Sequence, residues 1–235
     1  MAEHDYFVVE DAELGQTGWS GVVDDTCVFA RLGARDGLVH EIETVVRRPT
    51  ERLYAPQNML EPRAMIPDVL DPAARSSREE LVRIADAYFD GLEQVNGDLF
   101  PAEPGCIRLE NGQQTVLVED LSPYAGTPAE LIFPMAMQQQ ISSGYFAYID
   151  TVRDRRVAAV DESRGLVILI VVFDHTAGMK TVQVKGIGEV EVASYHQRPN
   201  SVLIAELFKV RSGRIAHVEA ILEFTPFGTR TGWEA

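Results

Sequence analysis

The chain has 235 residues, 46% of them apolar, which suits one large domain or a domain with a long extension and provides for a substantial core. Asp and Glu outnumber Lys and Arg by 36 to 21, a formal charge of −15, and no basic stripe offsets it. Such a surface repels phosphate backbones, so nucleic acid is not an expected partner; the bland consequence of the charge is solubility.

The opening "MAEHDYFVVEDAEL" lacks the basic and apolar regions of a signal peptide. Residues 1–48 read as strands. "TCVFARLG" and "GLVHEIETVV" flank "ARDG", a hairpin signal. Residues 49–77 hold Pro49, Pro56, Pro62, Pro67 and Pro72 and read as a long connection. Ser77 with Glu80 forms a capping box that opens a helix running to about Val95. Leu81, Ile84, Ala85, Tyr88 and Leu92 form its apolar stripe. The short segment "CIRLENG" follows, then a Pro- and Gly-rich loop. Pro128 or Pro134 could sit in the first turn of a helix through "MAMQQQIS". From Arg155 onward the pattern is strand: "RRVAAVD", "GLVILIVVFDH", "KTVQVKG", "EVEVASY" and a final hairpin closing at Phe224. Strands, helices, then a run of antiparallel strands is an α+β order. The longest apolar run, Leu166 to Phe173, is too short for a bilayer and fits a buried strand, so no membrane is expected.

Cys27 and Cys106 alone argue against a disulfide scaffold and fit a reducing cytoplasm. His4, His40, His175, His196 and His217 are scattered without metal-binding spacing, and there is no CxxC, HExxH, Walker loop or GxGxxG. Neither a metal nor a cofactor is therefore expected.

Two hairpins are written alike. Arg35, Gly37 and Glu43 match Arg211, Gly213 and Glu219, always 176 positions apart. In the second, the even positions Val202, Ile204, Glu206, Phe208 and Val210 share one strand face, with a single carboxylate among apolar residues. Ala216, Val218, Ala220 and Leu222 are expected opposite, with Glu206 roughly across from Val218 and the alanines leaving room for a ligand. Burial there would raise the Glu206 pKa above about 4.3 and leave a neutral acid near pH 7. The counterpart of Glu206 in the first hairpin is Ala30, so the first copy reads as structural. His217 and Glu219 fall on the other face, outside the pocket. His175, at a strand end, is a candidate base. Tyr145, Phe146 and Tyr148 in "YFAY" could form an aromatic wall. "VILIVV" is apolar on both faces and Leu203, Ala205 and Leu207 line the back of the penultimate strand. A partner subunit or the N-terminal hairpin must cover them, and a homodimer or homotrimer is expected.

"SREELVRIADAYFDGLE", "CIRLENG" and "AELFKVRSGRIAHVEA" resemble the NTF2-like superfamily over roughly residues 76–224. "YFDGLE", "IRLENG", "VDESRGLV" and "LFKVRSGRI" together look like its SnoaL-like branch, often left as a domain of unknown function. The resemblance implies a cone, a curved antiparallel sheet wrapped around helices, in residues 76–235, with residues 1–75 as a hairpin extension and connection. Ketosteroid isomerases of this superfamily put a tyrosine on the first helix, a base on the first edge segment and a protonated acid on the penultimate strand. Matching motifs gives these roles to Tyr88, Glu110 and Glu206. This chain has Glu where that enzyme has Asp, so steroid isomerisation is not carried over. Glu110 could equally pair with Arg108 or join the Asn111-Gly112 turn, and Tyr88 could be a core tyrosine. Arg108, Asn111, Tyr145, Tyr148, Phe208 and Ala220 are the implied substrate-binding set. By overall length and look the chain is also similar to the diarylpropane lyases of lignin catabolism. That implies a cofactor-independent lyase converting a 1,2-diarylpropane-1,3-diol to a stilbene and formaldehyde through a quinone methide. The alternatives are a SnoaL-like dehydratase, isomerase or hydrolase on another small skeleton, and a non-catalytic ligand-binding domain.

Overall fold

A computed structural model describes residues 3–50, 52–61, 63 and 65–231. It is an α+β structure in which two antiparallel-rich sheets lie face to face and helices cover the far side of the larger one. Four strands come first: β1 (Glu3–Asp11), β2 (Gln16–Val23), β3 (Thr26–Arg35) and β4 (Leu38–Arg47). They form a meander in that order, so the extension is a complete sheet where the sequence suggested one hairpin. Among its described residues, the proline-rich stretch that follows holds two short 3-10 turns, Pro56–Met59 and Pro72–Ala74.

Helix α1 (Arg78–Glu93) starts where the sequence places it, the Ser77 hydroxyl accepting from the Glu80 amide at 3.3 Å. Its stripe of Leu81, Ile84, Ala85, Tyr88 and Leu92 is buried. Next come β5 (Ala102–Glu110) and β6 (Gln113–Gln114), then α2 (Pro128–Ile132) and α3 (Met137–Ser142). Pro128 opens α2, whereas Pro134 falls between the two helices. Strands β7 (Thr151–Asp161), β8 (Leu166–His175), β11 (Asn200–Arg211) and β12 (Arg214–Pro226) complete the larger sheet in the order β6-β5-β12-β11-β8-β7. The small pair β9 (Thr181–Val184) and β10 (Gly188–Glu191) stands apart.

The two similar hairpins share their conformation as well as their residues. Asp36-Gly37 and Ser212-Gly213 both carry positive φ, the requirement of a two-residue turn that follows strand twist. Both have a register shift at equivalent places, Gly33/Ala34 and Lys209/Val210. The second bulge corrects the expected face of β12. It makes Ala216 the extra residue, turns Ile215 onto the helix side, and sets Glu206 opposite Ala220 while Phe208 takes Val218.

The first sheet covers the back of the second. Tyr6, Val9, Val22, Phe29 and Val45 pack on Ile168, Ile170, Ala205, Leu207 and Ile221. A Cβ on Gly18 would lie 2.7 Å from Ile168 Cδ1, which shows how close the layers approach. Tyr6 donates to Glu219 Oε1 at 2.8 Å, and His217 Nε2 meets the same oxygen at 2.5 Å, so these two residues are spent between the layers. With this cover in place, the apolar back face no longer requires a partner subunit. Among the described residues no helix is long and apolar enough to cross a membrane.

Candidate active site

Strand pairing puts two carboxylates in one row. Glu110 on β5 and Glu206 on β11 both pair with Ala220 on the strand between them. Their Cα atoms are therefore two strand spacings apart, roughly 10 Å, and the alanine leaves the gap open for the side chains. One row along, Arg108 and Phe208 flank Val218.

Arg108 is 3% exposed and uses its whole fork. Nε meets Glu110 Oε1 at 2.9 Å and Thr115 Oγ1 at 3.1 Å. Nη1 donates to the Tyr88 hydroxyl at 3.1 Å and Nη2 to Gln140 Oε1 at 2.7 Å. The fully buried Gln140 is itself fixed, its amide donating to the carbonyls of Thr115 at 2.7 Å and Ile132 at 3.1 Å. The guanidinium lies over the Phe146 ring, 5.4 Å from the centroid. So fixed a cation can hold a developing anion without reorganising.

One cation and two carboxylates share this space, and Glu110 already balances the charge. A second buried anion would have no counterpart, so Glu206, 3% exposed, keeps its proton. Burial and then the Glu110 charge raise its pKa to about 8, against the pull of Arg108 and Tyr88. Burial likewise pushes the Tyr88 phenol above its ordinary value. Tyr88 is edge-on to Phe100 and Phe208 at 5.2 and 5.3 Å, so it belongs to the core while its hydroxyl belongs to the site.

The cavity has two parts. A small chamber of about 40 Å³ is lined by Tyr88, Arg108, Glu110, Glu206 and Ala220. A larger one of about 370 Å³ shares Arg108 and Glu110 and is walled by Tyr145, Phe146, Tyr148, Tyr195 and Phe224. The large chamber is within the range of small-molecule sites, while the small one takes about one water or one small substituent.

His175 does line the large chamber, but it does not join Glu206. Glu206 pairs with Leu169 on β8, and six residues of strand, roughly 20 Å, separate Leu169 from His175. It stacks on His196 with centroids 4.1 Å apart, and burial lowers its pKa to about 4. Two other sequence assignments are corrected. Asn111 lines neither chamber, because its side chain donates to the Leu53 and Leu222 carbonyls and accepts from the Leu222 amide at 2.9 Å. Its turn is held against the connection, where a Cβ on Gly112 would lie 2.2 Å from the Ala55 carbonyl oxygen. Phe208 packs between Tyr88 and Phe89 and is core. Tyr145, Tyr148 and Ala220 do line the cavity. The sequence reading missed Gln140, His196 and Tyr195. Gln140 carried a faint signal, a polar run immediately before the aromatic "YFAY"; the other two carried none.

Fold and site thus define an α+β protein with an aromatic-walled pocket and a buried acid in the small chamber beside it. The chain belongs to the family described as Domain of unknown function (DUF8021), whose model matches residues 74–222, 149 of the 235 residues. The match starts just before α1 and leaves the first sheet outside it. No curated protein matches the chain. One similar solved structure is described as "Putative Isomerase from Bacillus subtilis"; it is 13% identical, with 62% of this chain and 87% of that chain covered and a TM-score of 0.36. A likeness at that level decides neither fold family nor activity.

Proposed function

We propose that the chain is a cofactor-independent acid–base lyase on an NTF2-like cone, acting on a small aromatic substrate, a 1,2-diarylpropane-1,3-diol. The observation that carries this reading is the Glu110–Ala220–Glu206 row, with Arg108 compensating one carboxylate and leaving the other protonated.

Glu206 gives its proton to the benzylic hydroxyl, which leaves as water; the small chamber is the size for that group. The para-phenol loses its proton to solvent as the quinone methide forms. Glu110, an acceptor at the junction of the chambers, takes the proton of the terminal hydroxyl. The C–C bond then breaks, its electron pair restores the aromatic ring as phenolate, and formaldehyde departs. Glu110 then gives up its proton, and reprotonation of the phenolate and of Glu206 closes the balance: diol gives stilbene, formaldehyde and water. Electron pairs move only within the substrate and protons pass between it, Glu206, Glu110 and solvent, so no oxidant or reductant is consumed. Aromatic walls suit the two rings.

Incubation with 1,2-bis(4-hydroxyphenyl)propane-1,3-diol tests this. The expected result is one formaldehyde per stilbene. A dehydrated product that retains all its carbons would make the protein a dehydratase, and no turnover would refute the assignment.

A further inference from the structure

The wall of the large chamber holds three phenols that the proposed chemistry does not use. Tyr145 and Tyr148 meet edge to face at 5.6 Å. Tyr195 comes from the far end of the chain's β9–β10 excursion, edge-on to Phe224 at 5.1 Å and under the Arg52 guanidinium at 5.3 Å. Their rings are largely buried in the cavity wall. Yet among the described residues none of the three hydroxyls has a hydrogen-bond partner in the protein, and none is sealed away from the cavity. Hydroxyls left accessible on a cavity wall are free to pair with a ligand or with water. Glu110 lies within electrostatic reach of all three, and only its Oε1 is engaged by Arg108.

We infer that Tyr145, Tyr148 and Tyr195 form a second polar anchor that receives the hydroxyl of a neutral hydroxylated aryl group. This deepens the proposed reading and rests on it, since it assumes that the cavity takes an aromatic molecule. The chemistry selects the class. A phenol or benzylic hydroxyl both donates and accepts, so it can donate to one tyrosine oxygen and receive hydrogen bonds from the others. An aryl carboxylate would put a second anion within reach of Glu110, with the solvent-exposed Arg52 guanidinium as a screened counterweight, and binds less well than the neutral hydroxyl. The anchor therefore fixes which ring lies outermost, and leaves the other ring and its benzylic carbon for Glu206.

Three probes separate the possibilities: trans-stilbene, trans-4-hydroxystilbene and trans-4-carboxystilbene, titrated by ligand fluorescence against the full chain. The hydroxylated probe should bind tightest and the carboxylate weakest. Tyr145→Phe, Tyr148→Phe and Tyr195→Phe keep the rings, and a melting curve verifies that each variant is folded. Each should reduce the preference for 4-hydroxystilbene over stilbene by about twofold to tenfold, the worth of one hydrogen bond, while leaving stilbene affinity in place. A folded triple variant with the wild-type preference would overturn the anchor while leaving the aromatic cavity intact, as would a carboxylate that binds as tightly as the phenol. If none of the probes binds the wild type, the aromatic reading of the cavity falls, and the anchor with it.

Discussion

Glu206→Gln separates stability from activity in a way the site makes quantitative. Its carboxyl is buried and its pKa is raised from 4.5 to about 8. In the unfolded chain it ionises above pH 4.5, whereas in the folded chain it does not until near pH 8. A raised acid therefore costs nothing at low pH, and the cost grows as pH rises between those two values. The slope is about 1.4 kcal/mol per pH unit, so the penalty in the wild type reaches about 3 kcal/mol at pH 7 and a little under 1 kcal/mol at pH 5. Glutamine removes the titration but keeps the shape. Any altered hydrogen bond with Tyr88 adds an offset that is the same at both pH values. The comparison to make is urea unfolding of both proteins at pH 5 and pH 7. The variant should gain on the wild type by about 2–3 kcal/mol between the two. Turnover of the diol should fall by roughly 10²-fold or more, because the transferable proton is gone. Parallel stability profiles would refute a protonated Glu206, and near-normal turnover would refute its role as the acid.

Other expectations follow from the same geometry. Arg108→Met strands Glu110 and removes the fork from Tyr88, Thr115 and Gln140; denaturant unfolding should show a loss of about 3–5 kcal/mol. Burial holds the His175 pKa at about 4 against 6.5, so its contribution is complete above pH 6.5 and lost as pH falls toward 4; stability measured across that window should decline less in His175→Asn. Gly18→Val forces carbon against Ile168 where the two sheets meet and should lower stability by about 1–3 kcal/mol, read from thermal or urea unfolding.

Much of the fold was legible because local signals agreed with burial. The Ser77 cap, the α1 stripe and the alternation of β11 all point inward or outward as their spacing requires. Glu206 stood out for the same reason, as the one charge in an apolar alternation. The bulge was not legible, since a single extra residue on β12 moves the partner of Glu206 from Val218 to Ala220 and leaves no compositional mark. Nor was the choice of cover for the back face, because a strand pattern says which face is apolar but not whether the N-terminal strands or a partner subunit lies on it. Asn111 looked like a polar pocket residue because the sequence cannot show that Leu53 and Leu222 occupy it. His196 reaches His175 only after the chain has gone out through β9 and β10 and returned, and spacing carries no trace of that meeting.

The central claim is that one proton resides on Glu206 while Arg108 is paired with Glu110. Infrared difference spectroscopy of wild type against Glu206→Gln reads that proton directly, through the C=O stretch of a protonated carboxylic acid. The account predicts such a band at pH 7 in the wild type, lost in the variant, and disappearing in the wild type with a midpoint near pH 8. A wild type with no protonated-acid band at pH 7, or one whose band disappears near pH 4.5, would contradict it.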